Sequence, residues 1–494
     1  MVKRNLYSDI ATSGGFGFDV FTEDEINQIH LATLEVLEKT GLYVGTEEAR
    51  DILEGGGAKV DREKKIVKFP SYLVEDCIRS APPKIVLYGR DPRHDVVLED
   101  KRVNFCTFGQ GVSIMELDGT VRASVNADVG KAALLTDAME EVDVCERSLT
   151  AGDAPDNVAP IHEAEVVFAN TAKHTIYGPG NGWRAGKIIK MAQHIVGGEE
   201  NLRERPICTI NCSPTSPLTL DENCCTGVMT CARAGVPCNL ISMVMAGISG
   251  PITLSGSLVV HNCEILGAIV LHQLTCKGAP LIYGCSSLSF DLKLTTTPVG
   301  APECGMLNAG APRLAQKYML PSFAAGGWAD SKVPDAQAGH EKTLTGMCAA
   351  MAGANLIYGA GMLDSGLIFS YAQLVIDNDI FKMIRKVMQG MRVDDENLAV
   401  DIIKSVGPGG DFLMQDHTMK YMRTLPSVPN LIDRGNRENW LASGEKGLAE
   451  KAAEKAAEIL ANHKTVPLSD EAKSALRSVV EESDAEMAEM NKKR

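Results

Sequence analysis

Residues 239–284 read NLISMVMAGISGPITLSGSLVVHNCEILGAIVLHQLTCKGAPLIYG, and the fold is decided there. The first run, Asn239–Met245, is short, apolar and ends in a small-residue loop, as a strand buried on both faces should be. The loop carries Gly247, Gly250, Pro251 and Gly256. Val260–Leu274 is then long, apolar and free of proline, which predicts a helix. A second short run, Leu281–Gly284, follows Gly278 and Pro280. Strand, loop, helix, strand is the βαβ unit of a parallel sheet.

The same rhythm continues in both directions. Upstream, the runs Val103–Phe108, His174–Tyr177 and Ile207–Asn211 predict strands, with helices over Ala185–Ile195 and Cys224–Arg233. Downstream, Ser322–Ala325 and Asn355–Tyr358 predict strands, and Asn308–Tyr318 and Gly339–Ala352 predict helices. No GxGxxG opens a helix after any of these runs, and no GxxxxGK[ST] loop occurs, so a dinucleotide-binding or P-loop sheet is disfavoured. The expected fold is α/β, a (β/α)8 TIM barrel. In such barrels the chemistry gathers at the carboxyl ends of the strands.

The flanks differ from this body. Residues 1–98 are expected to form a small α/β cap. Thr22 and Glu25 make a capping box, Ile26, Ile29, Thr33 and Leu37 recur at helical spacing, and Gly41 stands where a terminating glycine belongs. Further elements are predicted at Glu47–Glu54 (helix), Lys65–Phe69 (strand), Ser71–Arg79 (helix) and Lys84–Tyr88 (strand). The barrel is assigned to 99–432. Residues 433–494, rich in Ala, Glu and Lys, predict a helical extension: one exposed helix from Gly447, packing on the barrel or on a second subunit, then a charged tail.

Composition narrows the function classes. A net charge of −15 argues against a nucleic-acid partner, whose surface needs a basic stripe. The start, MVKRNLYSDIATSGGFGFDVF, has no apolar core after its basic residues, so no signal peptide is expected. The best candidate for a membrane span, Pro237–Val260, is broken by glycine and proline and reads as strand plus loop. With no secretory signal, the 14 cysteines are read as buried free thiols in a reducing cytoplasm. Cys224–Cys225, Cys231 and Cys238 suggest zinc only weakly, because the ligand spacing lacks the tight turns of such sites; no metal is expected.

The segment Pro321–Thr345, PSFAAGGWADSKVPDAQAGHEKTLT, holds the strongest chemical signal. A strand ends in Gly326–Gly327, Trp328 follows, and the next helix begins with Gln337, His340 and Glu341 on one face. A large ring over a barrel mouth suits a cation; it also suits a loop plug packed on the cap. Phe108, Gln110, Tyr177 and Tyr358 stand at other strand ends. His174 and Glu303 are single titratable groups in apolar, glycine-rich surroundings, readable either as tuned acid–base groups or as hydrogen-bonded structural ones.

On these residues the chain resembles the trimethylamine methyltransferase family almost from end to end. The likeness runs through FTEDEINQIHLATLEVL, CSPTSPLTL, SMVMAGISGPITLSGSLVVHNCEILGAIVL, YGCSSLSFDLKLTTTPVGAPECGML, KVPDAQAGHEKT, GANLIYGAGML and QLVIDNDIF. It implies transfer of a methyl group from a methylated amine to the Co(I) corrinoid of a cognate partner protein, with no cofactor bound tightly by this chain. One departure stands out. The family's trimethylamine enzymes carry pyrrolysine after a strand-end glycine pair or Gly–Ser, and Trp328 occupies that place here. Members without pyrrolysine resemble quaternary amine demethylases, so the expected substrate is a quaternary amine: glycine betaine first by abundance, then proline betaine or carnitine. Trp328 and Glu303 are the expected catalytic residues. Phe108, Gln110, His174, Tyr177, Trp328, Gln337, His340 and Tyr358 are expected to bind substrate, with His340, His174 or Gln337 on its carboxylate. A trimethylamine demethylase and a non-catalytic amine-binding protein are the alternatives. A soluble, cytoplasmic homo-oligomer is expected.

Overall fold

Eight short strands, each followed by a helix, close into a parallel barrel in the computed structural model, which describes residues 19–493. In chain order the strands are β1 (Asn104–Thr107), β2 (Val144–Glu146), β3 (His174–Tyr177), β4 (Cys208–Cys212), β5 (Cys238–Ser242), β6 (Leu281–Cys285), β7 (Ser322–Ala325) and β8 (Leu356–Ala360). Each pairs in parallel with its neighbours in sequence, and β8 closes on β1. The helices between them are α1 (Asn126–Asp137), α2 (Ala159–Asn170), α3 (Gly182–Val196), α4 (Glu222–Ala234), α5 (Leu254–Thr275), α6 (Pro302–Lys317), α7 (Ala336–Met351) and α8 (Tyr371–Met388). The expected (β/α)8 barrel is therefore the fold. The strand that the sequence reading passes over is β2: only three residues long, it sits in EEVDVCERS, whose charges mask a strand signature.

Alternation along the strands sorts side chains into two cores. Val144, Ile176, Ile241, Ile282, Phe323 and Leu356 fill the lumen in one cluster, whereas Leu240, Cys238, Ile210 and Cys208 pack outward against the helices. The antiparallel hairpin Ile85–Leu87 with Val96–Leu98 joins the luminal cluster and plugs the amino-terminal end.

Among the N-terminal elements, Thr22 caps Glu23–Lys39 through the expected capping box, and Gly41 ends that segment with φ +80°. Leu42–Val44 pairs in parallel with Thr219–Leu220 from the β4–α4 connection, so cap and barrel share a sheet. Helices Glu23–Lys39 and Ser71–Ser80 cover α5. That cover accounts for α5, the one helix among the described residues long and apolar enough to cross a bilayer. The sequence reading placed its candidate span earlier, at Pro237–Val260. In the structure α5 is a core element, with His261, Asn262, Glu264 and His272 fully buried on it.

The C-terminal segment forms two helices, Leu448–Asn462 and Asp470–Lys493, where a single helix and a tail were expected. The first buries Ala452 and Ala456 against α8, and the second lies along α2 and α3. There Glu486 accepts hydrogen bonds from Trp183 Nε1 at 3.1 Å and Lys187 Nζ at 2.8 Å. The tail folds because Leu476, Val479 and Val480 bury an apolar stripe against the barrel wall, with ion pairs at its edge. Residues 1–18, which carry the leader reading, lie outside the described residues.

Candidate active site

A cavity of about 600 Å³ opens at the carboxyl ends of the strands. One wall is aromatic and is contributed by three strand ends. Trp328 follows β7, Phe108 follows β1, and Tyr358 belongs to β8. Trp328 meets Tyr358 edge to face, with centroids 5.2 Å apart at 90°, and meets Phe108 at 6.3 Å and 88°. Phe108 and Tyr358 are parallel at 6.4 Å. Trp328 is only 3% exposed, and its Nε1 has no partner among the described residues. A buried, unsatisfied donor on a cavity wall marks a place where structure has yielded to function.

Backbone geometry holds this wall in place. A Cβ at Gly359 would stand 2.6 Å from Trp328 Cδ1 and 2.2 Å from the Gly326 carbonyl, so only glycine lets β8 approach β7 so closely. Beneath it, Lys342 of α7 donates to the carbonyls of Gly327 (2.7 Å) and Gly359 (3.2 Å) and to Asp377 at 2.9 Å. Asp377 in turn accepts from Gly361 N at 2.7 Å and Gln373 Nε2 at 2.8 Å. Burial draws both ionisable groups toward neutrality, and their mutual contact opposes it. The pair ties together the backbone under Trp328 and Tyr358. Thr345 adds a hydroxyl that accepts from the amides of Gly327 and Trp328, both at 3.1 Å.

The opposite wall is polar. Glu146 ends β2 inside the barrel, and its Oε1 accepts from Asn211 Nδ2 at 2.8 Å. Asn239 Nδ2 donates to Asn211 Oδ1 at 2.9 Å, making a three-member chain across β5, β4 and β2. Oε2 of Glu146 and Oδ1 of Asn239 have no partner among the described residues. Burial pushes the Glu146 carboxyl up to about 8, so it is predominantly neutral at pH 7. A Cβ at Gly109 would fall 2.3 Å from Glu146 Oε1, so the glycine after Phe108 makes room for the carboxyl.

Of the residues expected at the site, Phe108, Gln110, Trp328 and Tyr358 line the cavity together. The other five do not. His174 starts β3 at the opposite end of the barrel, where its Nδ1 and Nε2 pair with the Tyr88 carbonyl at 2.9 Å and Thr209 Oγ1 at 2.8 Å. Burial lowers it to about 4, and it reads as a satisfied core histidine. Tyr177 turns outward onto Phe168, with centroids 5.2 Å apart, because strand alternation directs it to the helix layer. Glu303 is exposed in the first turn of α6, one residue beyond the helix-starting Pro302. Gln337 and His340 are exposed on α7, and Gln337 donates to Glu341 at 2.8 Å. That helical face serves the loop after Trp328, since Glu341 Oε2 accepts from Asp330 N at 2.7 Å. Asp330 then binds the amides of Val299 and Gly300 and the hydroxyl of Ser365, joining three loops at the mouth.

Glu146, Asn211, Asn239 and Lys342 are the site residues the sequence reading missed. Lys342 lay inside the quoted KVPDAQAGHEKT; Glu146 lay in the unrecognised strand. Among candidate metal ligands, Cys212, Cys231 and Cys238 bring three sulfurs within 4.8 Å of one another, buried between β4, β5 and α4. All fourteen cysteines are free thiols.

The mouth is rimmed with exposed apolar side chains on the post-strand loops: Val112, Met243, Ile248, Ile252, Leu292 and Leu367. A sequence model described as trimethylamine methyltransferase matches residues 8–488. The chain belongs to the trimethylamine methyltransferase family. It is 50% identical over 486 residues to a trimethylamine methyltransferase of Desulfitobacterium hafniense (strain DSM 10664 / DCB-2), covering 98% of each chain. Identity to a trimethylamine methyltransferase of Methanosarcina barkeri is 42%, over 98% of this chain and 99% of that one. A protein named glycine betaine methyltransferase, from D. hafniense (strain Y51), is 31% identical over 96% of this chain and 98% of its own. The crystal structure of the M. barkeri monomethylamine methyltransferase superposes with a TM-score of 0.51 at 11% identity, over 96% of both chains, and shows the same fold. The family makes this chain a methyltransferase of methylated amines.

Proposed function

We propose that this member transfers a methyl group from a quaternary amine to the Co(I) corrinoid of a partner protein. The observation that carries the reading is the ring wall. Trp328, Phe108 and Tyr358 face one cavity, and aromatic faces hold quaternary ammonium groups without forming a bond. Trp328 stands where the resemblance places pyrrolysine in trimethylamine enzymes.

The chemistry asks little of the protein beyond placement. A quaternary nitrogen is already activated, since loss of one methyl leaves a neutral tertiary amine. Reduced corrinoid, when docked, supplies the two-electron nucleophile for that methyl carbon. This chain's residues bind the cation, turn one methyl toward the mouth and exclude water, and such orientation contributes roughly 7 to 11 kcal/mol. Positive charge leaves nitrogen in the transition state, so a fixed anion against the ammonium would hold the ground state back. A neutral Glu146 avoids that clamp while its Oε2 offers a hydrogen bond. The apolar rim of Met243, Ile248, Leu292 and Leu367 suits contact with a partner protein that carries the corrinoid, and the cavity behind it has room for a small amine. Such strongly reducing chemistry fits a cytoplasmic setting.

The relatives named for trimethylamine support a second reading, in which that neutral amine is the substrate. Both are tested by mixing the purified protein with chemically reduced cobalamin and following methylation of cobalt by absorbance. Transfer from a quaternary amine, kept in Trp328→Phe and lost in Trp328→Ala, supports the proposal. Transfer from trimethylamine alone, or full activity in both variants, refutes it.

A further inference from the structure

From the charges around the cavity we infer that the amine taken here carries no carboxylate: its fourth arm ends in a neutral hydrogen-bonding group, as in choline. The inference rests on the quaternary-amine reading above and narrows its substrate class. None of the residues lining the cavity is Lys, Arg or His, and two, Glu146 and Asp221, bear carboxyls. A substrate carboxylate would leave water without a cation to meet it and with acidic side chains for neighbours.

The helix starts on the cavity wall are occupied by their own caps. Two helices begin at the wall, α3 after Asn181 and α4 after Asp221. Asn181 Oδ1 already accepts from Arg184 N at 3.0 Å, and Gly182 N is spent on Thr226 Oγ1 at 3.1 Å. Asp221 Oδ1 accepts from Cys224 N at 2.8 Å, placing a negative group at the second helix start. The two cations nearest the lining, Arg147 and Arg184, are already engaged by protein oxygens. Arg147 pairs with buried Glu163, and Arg184 donates to the carbonyls of Asn157 at 2.8 Å and Pro179 at 3.1 Å.

What the polar wall does offer is neutral. On the lining, Glu146 Oε2 is free of partners among the described residues, and Asn211 stands beside it, held from behind by Asn239. A hydroxyl both donates and accepts, so it complements the protonated Glu146 carboxyl beside the Asn211 amide. For choline the step balances simply. The C–N bond breaks, its electron pair stays on nitrogen as neutral dimethylaminoethanol, and the methyl carbon bonds to the reduced cobalt supplied as nucleophile.

The full-length protein is given chemically reduced cobalamin and, in separate runs, choline, tetramethylammonium, glycine betaine or trimethylamine, and kcat/KM for cobalt methylation is measured. Choline and tetramethylammonium should exceed glycine betaine by about 100-fold, the order expected for an uncompensated buried charge. Asn223→Lys, at an exposed position on the lining, should raise the glycine betaine value by about tenfold and lower that of choline. Glycine betaine within tenfold of choline, or an Asn223→Lys variant that leaves the ratio unmoved, overturns the inference while leaving the quaternary-amine reading intact. Failure of every quaternary amine, with or without turnover of trimethylamine, overturns both.

Discussion

The two ends of this barrel handle buried polar groups in opposite ways. At the amino-terminal end Lys173, Asn355 and His174 are fully satisfied. Lys173 donates to the carbonyls of Thr136, Met139 and Val142 at 2.8, 2.5 and 2.6 Å. Asn355 donates to those of Glu99, Asp100 and Arg102, and both nitrogens of His174 are paired. At the carboxyl end, Trp328 Nε1 and Glu146 Oε2, on two residues that line the cavity, have no partner among the described residues. Buried polar atoms without partners are destabilising, and on a cavity wall they mark groups that a bound molecule can satisfy. The first end closes the fold and the second does its chemistry.

The sharpest way to break that contrast is at Lys342, which belongs to the working end but lies below its surface. Lys342→Met strands the Asp377 carboxylate and should destabilise the chain by about 3–5 kcal/mol in denaturant unfolding. The double variant with Asp377→Asn, whose amide oxygen can still accept from Gly361 N, should recover most of that stability but not the kcat, because the Gly327 and Gly359 carbonyls still lose their shared donor. Recovery of both would show that the pair does not position the rings.

At the other end, His174→Leu should cost about 1–3 kcal/mol by leaving Thr209 and the Tyr88 carbonyl unpaired. Activity per folded molecule should not change; a fall in kcat with stability intact would return His174 to the site. Glu146→Gln tests the open end by pH. Because burial raises Glu146 from 4.5 to about 8, the folded chain keeps a proton the unfolded chain loses, and stability falls as pH rises between those values. The variant should lack that fall. Cation binding should tighten by roughly tenfold from pH 7 to 9 as the carboxylate forms, and be flat in Glu146→Gln. A wild-type profile without the step would remove Glu146 from the cavity's electrostatics. The smallest effect is expected at Gln337 and His340, whose alanine variants should retain kcat/KM within about twofold, as exposed side chains away from the cavity do.

Much of this architecture was legible in the residues. Seven of the eight strands were readable because parallel barrel strands are short apolar runs between breakers, and β2 was not, because its residues carry the charges of a loop. The aromatic wall was legible because Phe108, Trp328 and Tyr358 are bulky rings beside glycines at strand ends. Its polar counterpart was not. Which of Tyr177 and Tyr358 faces the lumen depends on register, and a one-residue difference in strand phase reverses it. Gln337 and His340 were misplaced for a related reason: they share a helical face with Glu341, but that face looks at the Asp330 loop, an arrangement set by tertiary packing.

A crystal structure with tetramethylammonium bound tests the central claim most directly. The account predicts the nitrogen inside the barrel mouth, within about 6 Å of the ring centroids of Trp328, Phe108 and Tyr358, with one methyl directed toward the rim. A cation seated elsewhere, with the three rings packed on one another and the cavity closed to it, would contradict the account.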